Sequence, residues 1–104
     1  MQFGVEIDTL DGRSIVRVSG ELDLASAADL EDALVAAGPA AAHVVIDLSD
    51  CTFLDSTSMR VIATTVRAAD RVSIVATDPR ILRVLEITAM DTMVAVHPSV
   101  DDAL

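Results

Sequence analysis

The chain has 104 residues, 52% of them hydrophobic but only two aromatic, and it carries 17 acids against 7 arginines with no lysine, a formal charge of −10. Such a length supports one domain spanning residues 1–104 around a single core, and with rings so scarce that core must be built from Val, Leu, Ile, Ala and Met. The charge excludes a nucleic-acid binder, which needs a cationic face to displace counterions, and suits a basic protein partner or plain solubility.

The opening "VEIDTLDGRSIVRVSGELDL" holds two alternating segments, Val5–Leu10 and Ser14–Ser19, on either side of Asp11-Gly12. Asp-Gly between alternating runs predicts a tight antiparallel hairpin. In "ASAADLEDALVAAGP", Ala27, Leu30, Leu34 and Ala37 recur at helical spacing; Asp23 or Ser26 can cap the start and Gly38-Pro39 can stop it, so a helix is expected over about Ala25 to Ala37. The apolar run "HVVIDL" predicts a third strand, central in a sheet or covered on both faces.

After "FLDS", residues Met59, Ile62, Ala63 and Val66 mark one buried face of a helix running to about Ala69, with Arg60, Thr64, Arg67 and Arg71 on a separate polar stripe. "RVSIVAT" predicts a fourth strand, Asp78-Pro79 a capped start for a third helix over about Arg80 to Ile87, and "TMVAVH" a fifth strand. Pro98-Ser99 then opens a short acidic turn or helix. The order β-β-α-β-α-β-α-β-α predicts an α/β fold, a mixed, largely parallel sheet of about five strands carrying about four helices.

No apolar run approaches the roughly 20 residues that span a bilayer, and the amino terminus lacks the basic and apolar regions of a signal peptide, so a cytoplasmic protein without a membrane span is expected. The single Cys51 leaves no internal disulfide and no thiol pair for a metal. It is expected as a small core or loop residue. The four glycines stand alone, so no phosphate loop and no bound cofactor are expected.

Ligands and partners of such sheets gather where strands hand over to helices, and "FLDSTSMRVI" is a handover with an acid and three hydroxyls. Asp55 and Ser56 are both preferred N-cap residues. A nucleophilic serine needs an imidazole base, yet His43 is expected at the far end of its strand, His97 ends another, and G-x-S-x-G is missing; the chain is not expected to be an enzyme. The third reading is covalent regulation: a phosphoserine at an exposed helix start is tolerated by the helix dipole, while a docked partner would have to desolvate a dianion beside Asp55.

The segments "VSGELDLASAADLEDAL", "HVVIDLSDCTFLDSTSMRVI" and "VSIVATDPRILRVLEITAMDTMVAVHPSVDDAL" together resemble the STAS domains of bacterial anti-sigma-factor antagonists, over nearly the whole chain and in the same order. "SGELD" and an Asp-Ser pair after a strand are the specific parts, and "DPRILRVLEIT" adds to them. The resemblance implies a non-enzymatic transcription regulator that binds an anti-sigma factor, itself a serine kinase, and so frees a sigma factor. It further implies that phosphorylation of the serine after the motif aspartate breaks the complex and that a serine phosphatase restores it.

By position the motif aspartate is Asp55 and the phosphoacceptor Ser56, with Thr57, Ser58, Met59 and Arg60 completing the partner-binding stretch. Arg60, one turn beyond Ser56, is either a phosphate contact or a solvated arginine. Asp23 matches the family's acidic loop residue near the binding surface and is equally a helix cap. The chain departs from the family pattern at Ser58, where Gly is common, at Met59, where Leu is frequent, and at Ala89-Met90, where Gly-Leu is frequent. A different class also fits the resemblance, a STAS subunit with a constitutive structural role in a lipid-transport or sensory assembly.

Overall fold

Asp11 and Gly12 both take positive φ, 50° and 77°, the backbone that a two-residue type I′ turn requires. The turn joins β1 (Gly4–Leu10) to β2 (Arg13–Leu22) in an antiparallel pair closed by Leu10 opposite Arg13. The structure, a computed structural model, describes residues 3–37 and 43–104; the Gly38-Pro39 stop expected after the first helix lies outside the described residues. The remaining elements are α1 (Ala27–Ala37), β3 (His43–Leu54), α2 (Ser56–Ala68), β4 (Val72–Val75), α3 (Pro79–Ile87), β5 (Ala95–His97) and α4 (Val100–Ala103).

The sheet order is β1-β2-β3-β4-β5, with every pair after the hairpin parallel. The expected α/β class, mixed sheet and helix number are those observed. Successive crossovers of one hand put their helices on one face, and α1, α2 and α3 accordingly share one core. Leu30 and Leu34 of α1, Met59 and Ile62 of α2 and Ile81 and Leu85 of α3 pack on Val16, Val44, Ile46, Leu48, Val72 and Ile74 of the strands. Burying each such side chain favours folding by about 1.5–3 kcal/mol. On the opposite face, Ala103 of α4, flanked by Val100 and Leu104, packs on Ile15, Val45 and Val75. Central β3 is thus covered on both faces, as its apolar run suggests. No helix among the described residues is long and apolar enough to cross a membrane.

Several boundaries differ from expectation. β2 and β3 run on past Ser19 and Leu48 to pair Leu22 with Leu54; the register shifts between Arg17 and Ser19 and again between Gly20 and Glu21, with Gly20 at φ 83°. These bulges break the alternation from which a strand is read, although Cys51 and Leu54 return to the core. Helix α1 starts at Ala27 rather than Ala25, because the Asp23 carboxylate takes the N–H groups of Ala25 and Ser26 in the preceding turn. Arg71 is not on α2: the helix stops at Ala68, Ala69 turns extended at φ −87° and ψ 151°, and Arg71 leads into β4. Finally, Thr92 belongs to a 3-10 turn over Met90–Thr92, which leaves β5 only Ala95–His97.

Candidate functional site

The carboxyl ends of β2 and β3 lie side by side, since the Asp55 N–H donates to the Leu22 carbonyl at 3.2 Å. The chain leaves β3 through Asp55 in an extended conformation, and α2 begins at the next residue. Asp55 is the cap: its Oδ1 accepts from the Ser58 backbone N–H at 2.9 Å and from the Ser58 hydroxyl at 2.9 Å. Ser56 therefore occupies the first helical position instead of the cap.

This division gives the three hydroxyls different situations. Ser56 is exposed, and its hydroxyl has no hydrogen-bond partner among the described residues. Thr57 is half-buried. Ser58 is 0% exposed and held by Asp55, and Met59 at 5% packs into the core beneath it. Of the three, Ser56 is the most exposed, and its free hydroxyl stands at the positive end of a 13-residue helix. Arg60 is exposed on the next turn and forms no ion pair among the described residues.

Asp23 directly follows the residue that accepts from Asp55, so the two acids stand on adjacent strand ends. Its Oδ1 accepts from Ala25 and Ser26 at 3.0 and 3.2 Å, while its own N–H donates to the Ser26 hydroxyl at 3.0 Å. Asp23 thus braces the turn before α1, and it remains half-exposed beside a hollow of about 300 Å³ lined by Phe3, Glu21, Ala25, Ser26 and Asp29.

Two further residues of this end were not singled out in the sequence. Leu24, beside Asp23, is 75% exposed, and Phe53, two residues before Asp55, is 48% exposed. Large apolar side chains flanking polar strand ends are the signal that would have marked them, because such a patch is where a protein partner excludes water. The imidazoles stand elsewhere: His43 begins the 12-residue β3, the end opposite Asp55, and His97 ends β5, two strands from β3. Ser56 has neither as a base.

A model of the STAS domain matches residues 4–103. The fold is similar to the crystal structure of an anti-sigma factor antagonist from Mycobacterium paratuberculosis, with a TM-score of 0.93 at 32% identity, covering 98% of this chain and 91% of that one. It is also similar to the anti-sigma factor antagonist SpoIIAA in its unphosphorylated form, with a TM-score of 0.76 at 15% identity over 96% and 92% of the two chains. SpoIIAA of Bacillus in its phosphorylated form gives 0.73 at 16% identity over 98% and 96%. At these last two identities the likeness is one of fold. No curated protein matches the sequence.

Proposed function

Because the chain belongs to the STAS domain family, we propose that it is an anti-sigma-factor antagonist whose docking surface is the Asp23 and Asp55–Arg60 end of the sheet, switched off by phosphorylation of Ser56. The observation that carries the reading is the contrast between neighbouring hydroxyls: Ser56 is exposed and uncommitted, Ser58 buried and bonded. A kinase needs an acceptor that it can reach without unfolding the helix.

Phosphate on Ser56 keeps the fold, because Asp55 and not Ser56 holds the cap, and the dianion sits at the positive end of α2 with Arg60 one turn away. Binding suffers instead. A partner covering Leu24, Phe53 and the two acids would have to desolvate the phosphate as well. The formal charge of −10 favours a basic face on that partner. The protein acts by occupancy and not by catalysis.

Calorimetric titration against the cognate anti-sigma factor, with and without ATP, tests this. Wild type is expected to lose affinity once ATP is supplied, Ser56→Ala to bind irrespective of ATP, and Ser56→Asp to bind weakly with an unchanged melting temperature. Equal affinity for all three, independent of ATP, would reject the switch and favour a constitutive structural subunit.

A further inference from the structure

Three basic side chains, two on strands and Arg71 just before β4, line up across the sheet at the end remote from Ser56. Arg13 of β2 is the register partner of His43 of β3. On the other side Val44 pairs with Val72 and its N–H donates to the Arg71 carbonyl at 2.9 Å, which sets Arg71 level with His43. Side chains alternate along strands, and Val16, Val44 and Val72 face the layer of α1–α3. Arg13, His43 and Arg71 therefore share the opposite face, next to the row of Ile15 and Val45 that α4 covers. At about 4.8 Å between strands the row spans about 10 Å, within which two flexible guanidinium groups can close on one tetrahedral oxyanion.

The pairing of the charged groups leaves both arginines of the row available. Arg17, Arg80 and Arg83 have carboxylate partners, and Asp8 and Asp47 on this same face are engaged by Arg17. Arg13 and Arg71 form no ion pair among the described residues, and neither do the exposed Asp101 and Asp102 of α4. Between the two arginines His43 is 4% exposed. Its Nε2 lies 2.8 Å from the Ser73 hydroxyl, while its Nδ1 is buried without a partner among the described residues. A buried ring nitrogen left unpaired is a cost that native structures rarely keep. Desolvation, and after it the charges of Arg71, Arg13 and His97, lowers the pKa of the imidazole.

We propose that Arg13, His43 and Arg71 form a binding site for a small phosphate-like dianion, the two guanidinium groups gripping it from the surface and His43 Nδ1–H donating from the floor. In the tautomer that carries the proton on Nδ1, the Ser73 hydroxyl donates to Nε2. The site lies at the opposite end of β3 from Asp55, so it is separate from the docking surface and independent of the reading given to Ser56.

Sodium phosphate and sodium chloride, titrated at equal ionic strength and neutral pH into the intact protein, test the site, with the His43 ring and the Arg13, His43 and Arg71 amides followed by NMR. Phosphate is expected to give saturable shifts confined to this row and a raised melting temperature, chloride neither. Arg13→Gln and Arg71→Gln should each weaken binding about tenfold or more, whereas Arg83→Gln, which removes a guanidinium paired with Glu86 on α3, should leave it unchanged. Phenyl phosphate binding as tightly as phosphate would identify a phosphate ester as the ligand, and preference for phosphate the free ion. A linear, unsaturated response, or equal loss in Arg83→Gln, would overturn the proposal.

Discussion

One oxygen of Asp55 accepts two donors from the same residue, the backbone N–H and the hydroxyl of Ser58, both at 2.9 Å. The acid that precedes the exposed serine is thereby built into the helix it introduces. Asp55→Ala is expected to destabilise the domain by about 1–2 kcal/mol through the lost cap, and Asp55→Asn, which keeps an acceptor, by clearly less. Urea unfolding of the three proteins measures the difference. Equal stability of wild type and Asp55→Ala would mean that the cap contributes nothing.

Ser58 stands where the resemblance to the STAS pattern implies glycine, and its burial gives it a structural role. Ser58→Gly removes the hydroxyl bond to Asp55 and adds backbone freedom inside α2, so a loss of roughly 1–2 kcal/mol is expected. Ser58→Ala, which loses only the hydroxyl bond, should fall between that variant and wild type. Thermal melts rank the series, and a stabilised glycine variant would contradict the role assigned to the hydroxyl.

Ala89 is another departure, and it works the other way. It sits just past α3 at φ 59° and ψ 18°, a left-handed conformation that costs a residue with a Cβ about 1–2 kcal/mol. Ala89→Gly relieves that cost but loosens the unfolded chain by about 0.4–1 kcal/mol, so a net gain of up to about 1.5 kcal/mol is expected. A higher urea midpoint with an unchanged slope is the expected result; a lower midpoint would count against it.

Stability should also respond to pH through His43. Burial, the main cause, together with Arg71, Arg13 and His97, holds its pKa below the ordinary value of 6.5. The unfolded chain then takes up a proton that the folded one refuses, so the contribution is complete above pH 6.5 and is lost as pH falls through the folded value. In His43→Gln, which keeps a side-chain amide near Ser73, the melting temperature should fall less between neutral pH and the onset of carboxylate titration. Parallel pH curves for the two proteins would show that His43 does not contribute.

Much of this was legible in the residues. The Asp11-Gly12 turn, the Asp78-Pro79 start of α3 and the apolar periods of α1 and α2 each follow from local rules that the rest of the fold does not override. The misplaced boundaries share another cause. Gly20 at φ 83° and the shifts beside it interrupt alternation without ending β2 or β3, and Ala89 hides a left-handed turn behind a residue that normally favours helix. At the site, Asp55 and Ser56 were equal candidates for the cap, because both residue types suit it. Which of them was free depended on Ser58 being turned inward, and that is decided by the core under Met59 rather than by spacing. Leu24 and Phe53 are not legible as surface residues because a single apolar residue in a sequence does not reveal which way it points.

The sheet order β1-β2-β3-β4-β5 means that each strand lies beside the one made just before it. No place in the sheet has to be held open for a strand still to be translated. On a ribosome the hairpin can form first, β3 can dock on β2 once α1 has emerged, and both partners of the Asp55 cap lie within the first turn of α2. The surface bearing Ser56 is therefore specified by the first two-thirds of the chain, while β4, α3, β5 and α4 add the far edge and close both faces. Synthesis and assembly run in the same direction, so an emerging chain has little opportunity to pair its strands in the wrong order.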